Sequence, residues 1–146
     1  INGYIVADTS NFRVIKLWGT HYERGFAYGS LAGDGMNDIY QNYLLPIFGS
    51  YLSVARQWVA DGNNFTINEK YVDEAQGVVA GMNACEINTN NFDYIDVLVS
   101  NLFLDFYGFL RDSDFESPGC LVLMSWGEAT VGTDIEGKSV LSRHVD

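Results

Sequence analysis

The run Glu116 to Trp126, "ESPGCLVLMSW", followed by Lys138 to Asp146, "KSVLSRHVD", decides the fold. A Ser-Pro-Gly turn signal precedes an apolar run that starts on Cys120, and the second run alternates apolar with polar residues, so both predict short strands. Between them "GEATVGTDIEGK" is polar and contains glycine, which suits an antiparallel hairpin with its midpoint near Thr133. That midpoint predicts Cys120 across from Asp146 and Leu123 across from Arg143, with opposed Cβ atoms about 4.5–5.5 Å apart and diagonal ones about 7–8 Å. The hairpin thus gathers a cysteine, a guanidinium and a carboxylate. A nearby Arg favours the thiolate, which is the nucleophile, and a carboxylate can orient an amine or a polar substrate. Alternation sends His144 to the face opposite Arg143, and a Cys-His pair is the rival arrangement. A cysteine at a strand start also serves as a small buried hydrophobe, and an Arg near an Asp as a surface pair.

Upstream, "YIVADTSNFRVIKLWGT" alternates and then runs apolar, which predicts a hairpin or a pair of strands turning near Asp8 to Asn11. Helical periodicity follows through Phe26, Leu31, Ile39 and Tyr43, with Pro46 allowing a kink or a break. Gly25, Gly29 and Gly33 recur at four-residue steps on one helical face, a pattern that calls for tight packing because each glycine costs a helix nearly 1 kcal/mol. A second helix is expected over "NEKYVDEAQGVVAGMNAC" with Asn68 as its N-cap, and a third over "NTNNFDYIDVLVSNLFLDFYGFL" capped by Asp93 or Asn91. Leu98, Leu102 and Phe106 form its apolar stripe. The first 115 residues are therefore expected to be mainly helical, and "DSDFESPG" ends that pattern.

With 146 residues, 47% hydrophobic and 18% charged, the chain has the length and balance of one globular domain. Nine Tyr, nine Phe and three Trp supply much of a core. A net charge of −11 with eight Lys and Arg argues against a nucleic-acid partner. Acidity of this kind fits an extracellular, lysosomal or periplasmic setting, and no apolar run is long enough for a membrane span. The chain begins "INGYIV" without Met, as a mature product does after loss of a leader. Asn64-Phe65-Thr66 is a sequon in a polar segment, which makes Asn64 a candidate glycosylation site. Cys85 and Cys120 are expected as free thiols, Cys85 buried in a helical apolar pattern. No cofactor and no metal site is expected.

"GCLVLMSWGEATVGTDIEGKSVLSRHVD" resembles the nucleophile hairpin of the N-terminal nucleophile hydrolases, in particular the acyl-CoA:6-aminopenicillanate acyltransferase, choloylglycine hydrolase and phospholipase B-like group. The matching features are Gly119-Cys120, Trp126-Gly127 and Arg143-His144-Val145-Asp146. "LWGTHYERGFAYGSLAGD" is similar to the Gly-x-x-x-Glu-x-Gly-x-x-x-Gly segment of the acyltransferase branch, and "EAQGVVAGMNA" with "DVLVSNLF" to its Gly-rich and Leu-rich, Asn-containing helical segments. His144 stands where the family usually has Asn, and Leu121 where a small Ser or Thr is common.

The resemblance implies an α+β fold, the αββα sandwich of that class, of which this chain would supply the helical part and the first hairpin. It implies Cys120 as nucleophile, with its own α-amino group as general base once the Gly119-Cys120 bond is cut, and Arg143 and Asp146 in support. The activity implied is hydrolysis or transfer at an amide through a cysteine acyl-enzyme, on a small acylated amide or lipid-like substrate. The remaining sheet would come from a second chain of the same precursor. Because the sequence stops at Asp146, a cut there would instead make the following residue the nucleophile. A non-catalytic binding or assembly chain, whose partner carries the nucleophile, is the alternative from another class.

Overall fold

The computed structural model describes residues 1–10, 12–62, 66–102, 106, 120–125, 127–133, 136 and 140–145. The chain divides into two compact units, Ile1–Phe109 and Leu110–Asp146.

Unit 1 opens with β1 (Gly3–Asp8) and β2 (Arg13–Leu17), paired antiparallel with a bulge between Ile5 and Ala7. The turn falls in the expected place and is closed by Thr9, whose amide donates to the Phe12 carbonyl at 2.9 Å. Arg13 fastens this hairpin to the following helix. Its guanidinium donates to Asp8 opposite it, to the Leu31 carbonyl and to Asp34.

α1 (His21–Ile39) starts at a capping box. The Thr20 hydroxyl accepts from the Glu23 amide while the Glu23 carboxylate accepts from the Thr20 amide, so two of the helix's unpaired N-terminal donors are satisfied. Donation from the Thr20 amide, and then from its hydroxyl, holds the Glu23 carboxyl below its ordinary titration range. The helix then widens into a π-helical turn over Tyr40–Leu44 before α2 (Leu45–Phe48). Pro46 explains the widening: it has no N–H to donate, and its ring collides with the carbonyl four residues back in a regular helix. A short 3₁₀ turn leads to α3 (Leu52–Asp61).

α4 (Glu69–Ala84) is capped as expected by Asn68, whose side chain accepts from the Lys70 amide. α5 (Tyr94–Asn101) is capped by Asp93, the first of the two expected caps, in a second capping box with Asp96. Of the expected stripe Leu98 is buried in α5, Leu102 caps the helix half-buried, and Phe106, beyond its end, is buried edge-on to Phe48 and stacked on Trp58.

α1 and α4 meet along their glycines. An ideal Cβ placed on Gly25 would lie 2.0 Å from the Glu74 carbonyl oxygen, and one on Gly29 would lie 2.0 Å from that of Val78. From the other side, a Cβ on Gly77 or Gly81 would come within 2.2 or 2.1 Å of the Tyr22 or Phe26 carbonyl oxygen. The contacts advance together, 25 with 74, 29 with 78 and 33 with 82, so the two helices run parallel, backbone against backbone. This is the tight packing that the glycine stripe demands. Met82 is fully buried beside Gly33 in this seam, and Ala27, on the other face of α1, is fully buried against Gly3 of β1.

Cys85 departs from expectation. It follows α4 as the cap residue and is an exposed free thiol. The apolar period runs one residue past the helix, where Glu86 turns the backbone with a positive φ, and the Ile87 amide closes on the Met82 carbonyl instead.

Unit 2 contains β3 (Cys120–Ser125), a 3₁₀ turn over Gly127–Thr130 and β4 (Val140–Val145), with both strands where the sequence places them. The described elements are helices and two antiparallel sheets of two strands each. Among the described residues no helix is long and apolar enough to cross a membrane.

Candidate functional site

The hairpin of unit 2 places the sequence-derived residues by its backbone ladder. Cys120 opens β3 and pairs with Val145, Leu121 pairs with His144, and Val122 pairs with Arg143. The expected pairing of Cys120 with Asp146 and of Leu123 with Arg143 is therefore off by one position. The connection of fourteen residues between Ser125 and Val140, the closing pair, does not fix register by itself, and a single-residue slip exchanges the two faces of the ladder.

That correction changes which positions share a face. Pairs alternate between the faces, so Cys120/Val145, Val122/Arg143 and Met124/Leu141 form one set, and Leu121/His144, Leu123/Ser142 and Ser125/Val140 the other. Cys120 and Arg143 are thus diagonal neighbours in one set, at about 7–8 Å in an antiparallel ladder. His144 falls in the other set, which removes the register support for a Cys-His pair. Asp146 and Asn64 lie outside the described residues.

The connection between the strands is locally organised. The Thr133 hydroxyl donates to the Thr130 carbonyl at 2.7 Å, and the Gly132 amide donates to the Glu136 carboxylate at 2.9 Å. Gly132 has φ of 76°, the left-handed region in which a glycine is favoured.

Two charged clusters in unit 1 escaped the sequence reading. In the first, Arg56 on α3 donates to both carboxylate oxygens of Asp93, at 2.7 and 3.3 Å, and also to Asp96. Asp96 is buried, so the guanidinium neutralises a carboxylate that would otherwise stand uncompensated in the interior. Burial pushes the Asp93 carboxyl up, but the Arg56 hydrogen bond, the Asp96 and Ile95 amides and the Arg56 charge outweigh it and hold it below its ordinary value. Tyr40 is raised, first by burial and then by the Asp96 charge. The cluster joins α3 to the start of α5, and every carboxylate in it has a partner.

Arg56→Met is expected to destabilise unit 1 by about 2–3 kcal/mol, below the full range for a buried pair because Arg56 and Asp93 keep contact with water. The sign of the acid response follows from the depressed Asp93 group. Its contribution is present above the unfolded carboxylate value near 3.9 and is lost as pH falls through the lower folded value. Urea unfolding at stepwise pH below about 5 should show the wild type losing more stability than Arg56→Met, and parallel curves would contradict the assignment.

In the second cluster His21 Nδ1 lies 2.7 Å from Glu74 Oε2 and 2.7 Å from Arg24 Nη2. Nδ1 can donate to Glu74 or accept from Arg24, one at a time. Arg24 also reaches Glu74 at 3.6 Å and donates to the Gly19 carbonyl, so the cluster joins the start of α1 to α4. No sequence signal links these positions, because partners 53 residues apart meet only through the glycine seam. Among the described residues no group of three or more His, Cys, Asp or Glu side chains could hold a metal ion.

No protein-family model, curated protein or solved structure matches the chain.

Proposed function

We propose that the protein is an amide hydrolase or acyltransferase of the N-terminal nucleophile type, working through a thioester on Cys120. The observation that supports this most is the ladder register, in which Cys120 opens β3 and Arg143 occupies the diagonal position on the neighbouring strand. A guanidinium at that distance favours a thiolate over a thiol.

In this reading the Cys120 sulfur attacks the carbonyl carbon of a small acylated amide or lipid-like substrate. The α-amino group of Cys120, freed by cleavage of the Gly119-Cys120 bond, takes the thiol proton and passes it to the leaving nitrogen as the C–N bond breaks. An α-amine titrating near 7.7–8.0 is suited to that exchange close to neutral pH. Water or an acceptor amine then attacks the thioester, releasing the acid or a new amide and restoring the thiol. Asp146 hydrogen-bonds the amine and holds it in place. Work in a secreted, lysosomal or periplasmic setting, with a second chain from the same precursor supplying further sheet, belongs to the same proposal, as does a glycan on Asn64.

Thiol alkylation tests the reading without knowledge of the substrate. Iodoacetamide should modify Cys120 rapidly near pH 6, well ahead of the exposed Cys85 at the same pH. Equal pH profiles for the two cysteines would overturn the proposal.

A further inference from the structure

His21 opens α1, one turn ahead of Gly25, whose backbone lies against that of Glu74. Its ring therefore sits at the end of the glycine seam, with the Glu74 carboxylate across from it on α4 and Arg24 beside it on α1. Nδ1 lies 2.7 Å from Glu74 Oε2 and 2.7 Å from Arg24 Nη2. One nitrogen thus faces an obligate acceptor and an obligate donor at the same distance, and the proton it carries or lacks decides which of them it binds. Nε2 has no protein partner among the described residues and the side chain is 34% exposed, so solvent can serve that nitrogen and exchange its proton.

Arg24 stays anchored through Nη1, which donates to the Gly19 carbonyl at 2.7 Å, and its Nη2 lies 3.6 Å from Glu74 Oε2. The carboxylate thus keeps a cation beside it when the ring is neutral. Tyr71 of α4 also faces the ring, edge-on at 6.4 Å, with Lys70 over the tyrosine. Glu23 is engaged with Thr20, Asp8 and Arg13 of the first hairpin with each other and with Asp34, and Lys16 pairs across from Tyr4. Glu74 and Arg24 are the charges in hydrogen-bond reach of the ring. An imidazole takes up its second proton between about pH 8 and 5, and in water a neutral one carries its single proton mainly on Nε2, leaving Nδ1 to accept. We infer that His21 is a proton-driven partner switch: the neutral ring accepts from Arg24, the protonated ring donates to Glu74, and the link across the seam passes from Arg24 to His21 while α1 stays fastened to α4. All these residues belong to unit 1, so the inference stands or falls independently of Cys120.

Nitrogen NMR of the ring in the full chain tests it, with His144→Gln removing the other of the two histidines. At about pH 8 the proton should sit on Nε2 with Nδ1 bare, and at about pH 5 both nitrogens should be protonated. A neutral ring protonated on Nδ1 would overturn the inference, because the ring would then hold Glu74 throughout. Urea unfolding adds a second arm, each variant being compared with the same variant carrying His21→Gln. In Arg24→Met the protonated ring meets Glu74 alone, so the folded chain binds the proton more tightly than the unfolded one and stability should fall as pH rises. In Glu74→Met the protonated ring meets Arg24 alone, and the sign reverses. From about pH 8 to 5 the folding equilibrium constant should rise about threefold in Arg24→Met and drop about threefold in Glu74→Met, the scale of partly exposed charge pairs. Responses of the same sign, or none in either variant, would also overturn the inference and leave three side chains that pack together without exchanging partners.

Discussion

Gly29→Ala is expected to destabilise unit 1 by about 3 kcal/mol or more, although the same exchange in an open helix stabilises by up to about 1 kcal/mol. The new methyl group would lie 2.0 Å from the Val78 carbonyl oxygen and 2.8 Å from its carbon, inside any contact that atoms tolerate. Val78 meets it with backbone in the middle of α4, so no rotamer change can make room. The helices must separate, and each one then loses the glycine contacts on either side, at Gly25 and Gly33 from α1 and at Gly77 and Gly81 from α4. Gly35 supplies the control within the same helix. Nothing lies within 4 Å of a Cβ built there, and Gly35→Ala should raise stability by about 0.5–1 kcal/mol through helix propensity alone. Chemical unfolding followed by circular dichroism distinguishes the two. A Gly29→Ala midpoint equal to or above that of the wild type would show that α1 and α4 do not meet at this distance.

Cys120→Ala is expected to reduce amide turnover by the native protein at least a thousandfold, roughly the scale on which removing a covalent nucleophile acts. A panel of N-acyl p-nitroanilides spanning short, aromatic and long-chain acyl groups covers the substrate class. Cys85→Ala should leave the rate unchanged, because that thiol is an exposed cap residue at the end of α4. A folded Cys120→Ala variant with wild-type turnover would move the nucleophile elsewhere and reduce Cys120 to a strand residue.

Local signals proved legible where one residue type has one physical job. Asn68 and Asp93 cap their helices because a short polar side chain can accept from the amide two or three residues on. Pro46 disturbs the helix because it lacks a donor. The stripe of Gly25, Gly29 and Gly33 announced a close approach, but it did not name the element approached. Gly77 and Gly81 answer it from about fifty residues away, and nothing local encodes that pairing. Arg56 and Asp96 were opaque for the same reason, and Asp93 was legible as a cap but not as an ion-pair partner: the cluster forms only once α3 and α5 are brought together.

The unit 2 hairpin shows a different limit. Its strands were legible from turn residues and apolar runs, while its register was not, since a long connection allows neighbouring alignments and parity reverses with each step. The one-position correction bears directly on the candidate site. It sets Cys120 and Arg143 in the same group of pairs and moves His144 to the other. Cys85 failed for a boundary reason, because an apolar period that continues past the last helical turn gives no mark of where burial stops.

The central claim is that Cys120 carries the acyl group, and trapping that intermediate tests it most directly. Native protein incubated with an activated acyl ester, quenched in acid and examined by intact mass and peptide mapping should carry one acyl group, on a peptide whose N-terminal residue is Cys120. An acyl group on any other residue, or steady amide turnover with Cys120 unmodified throughout, would contradict the account.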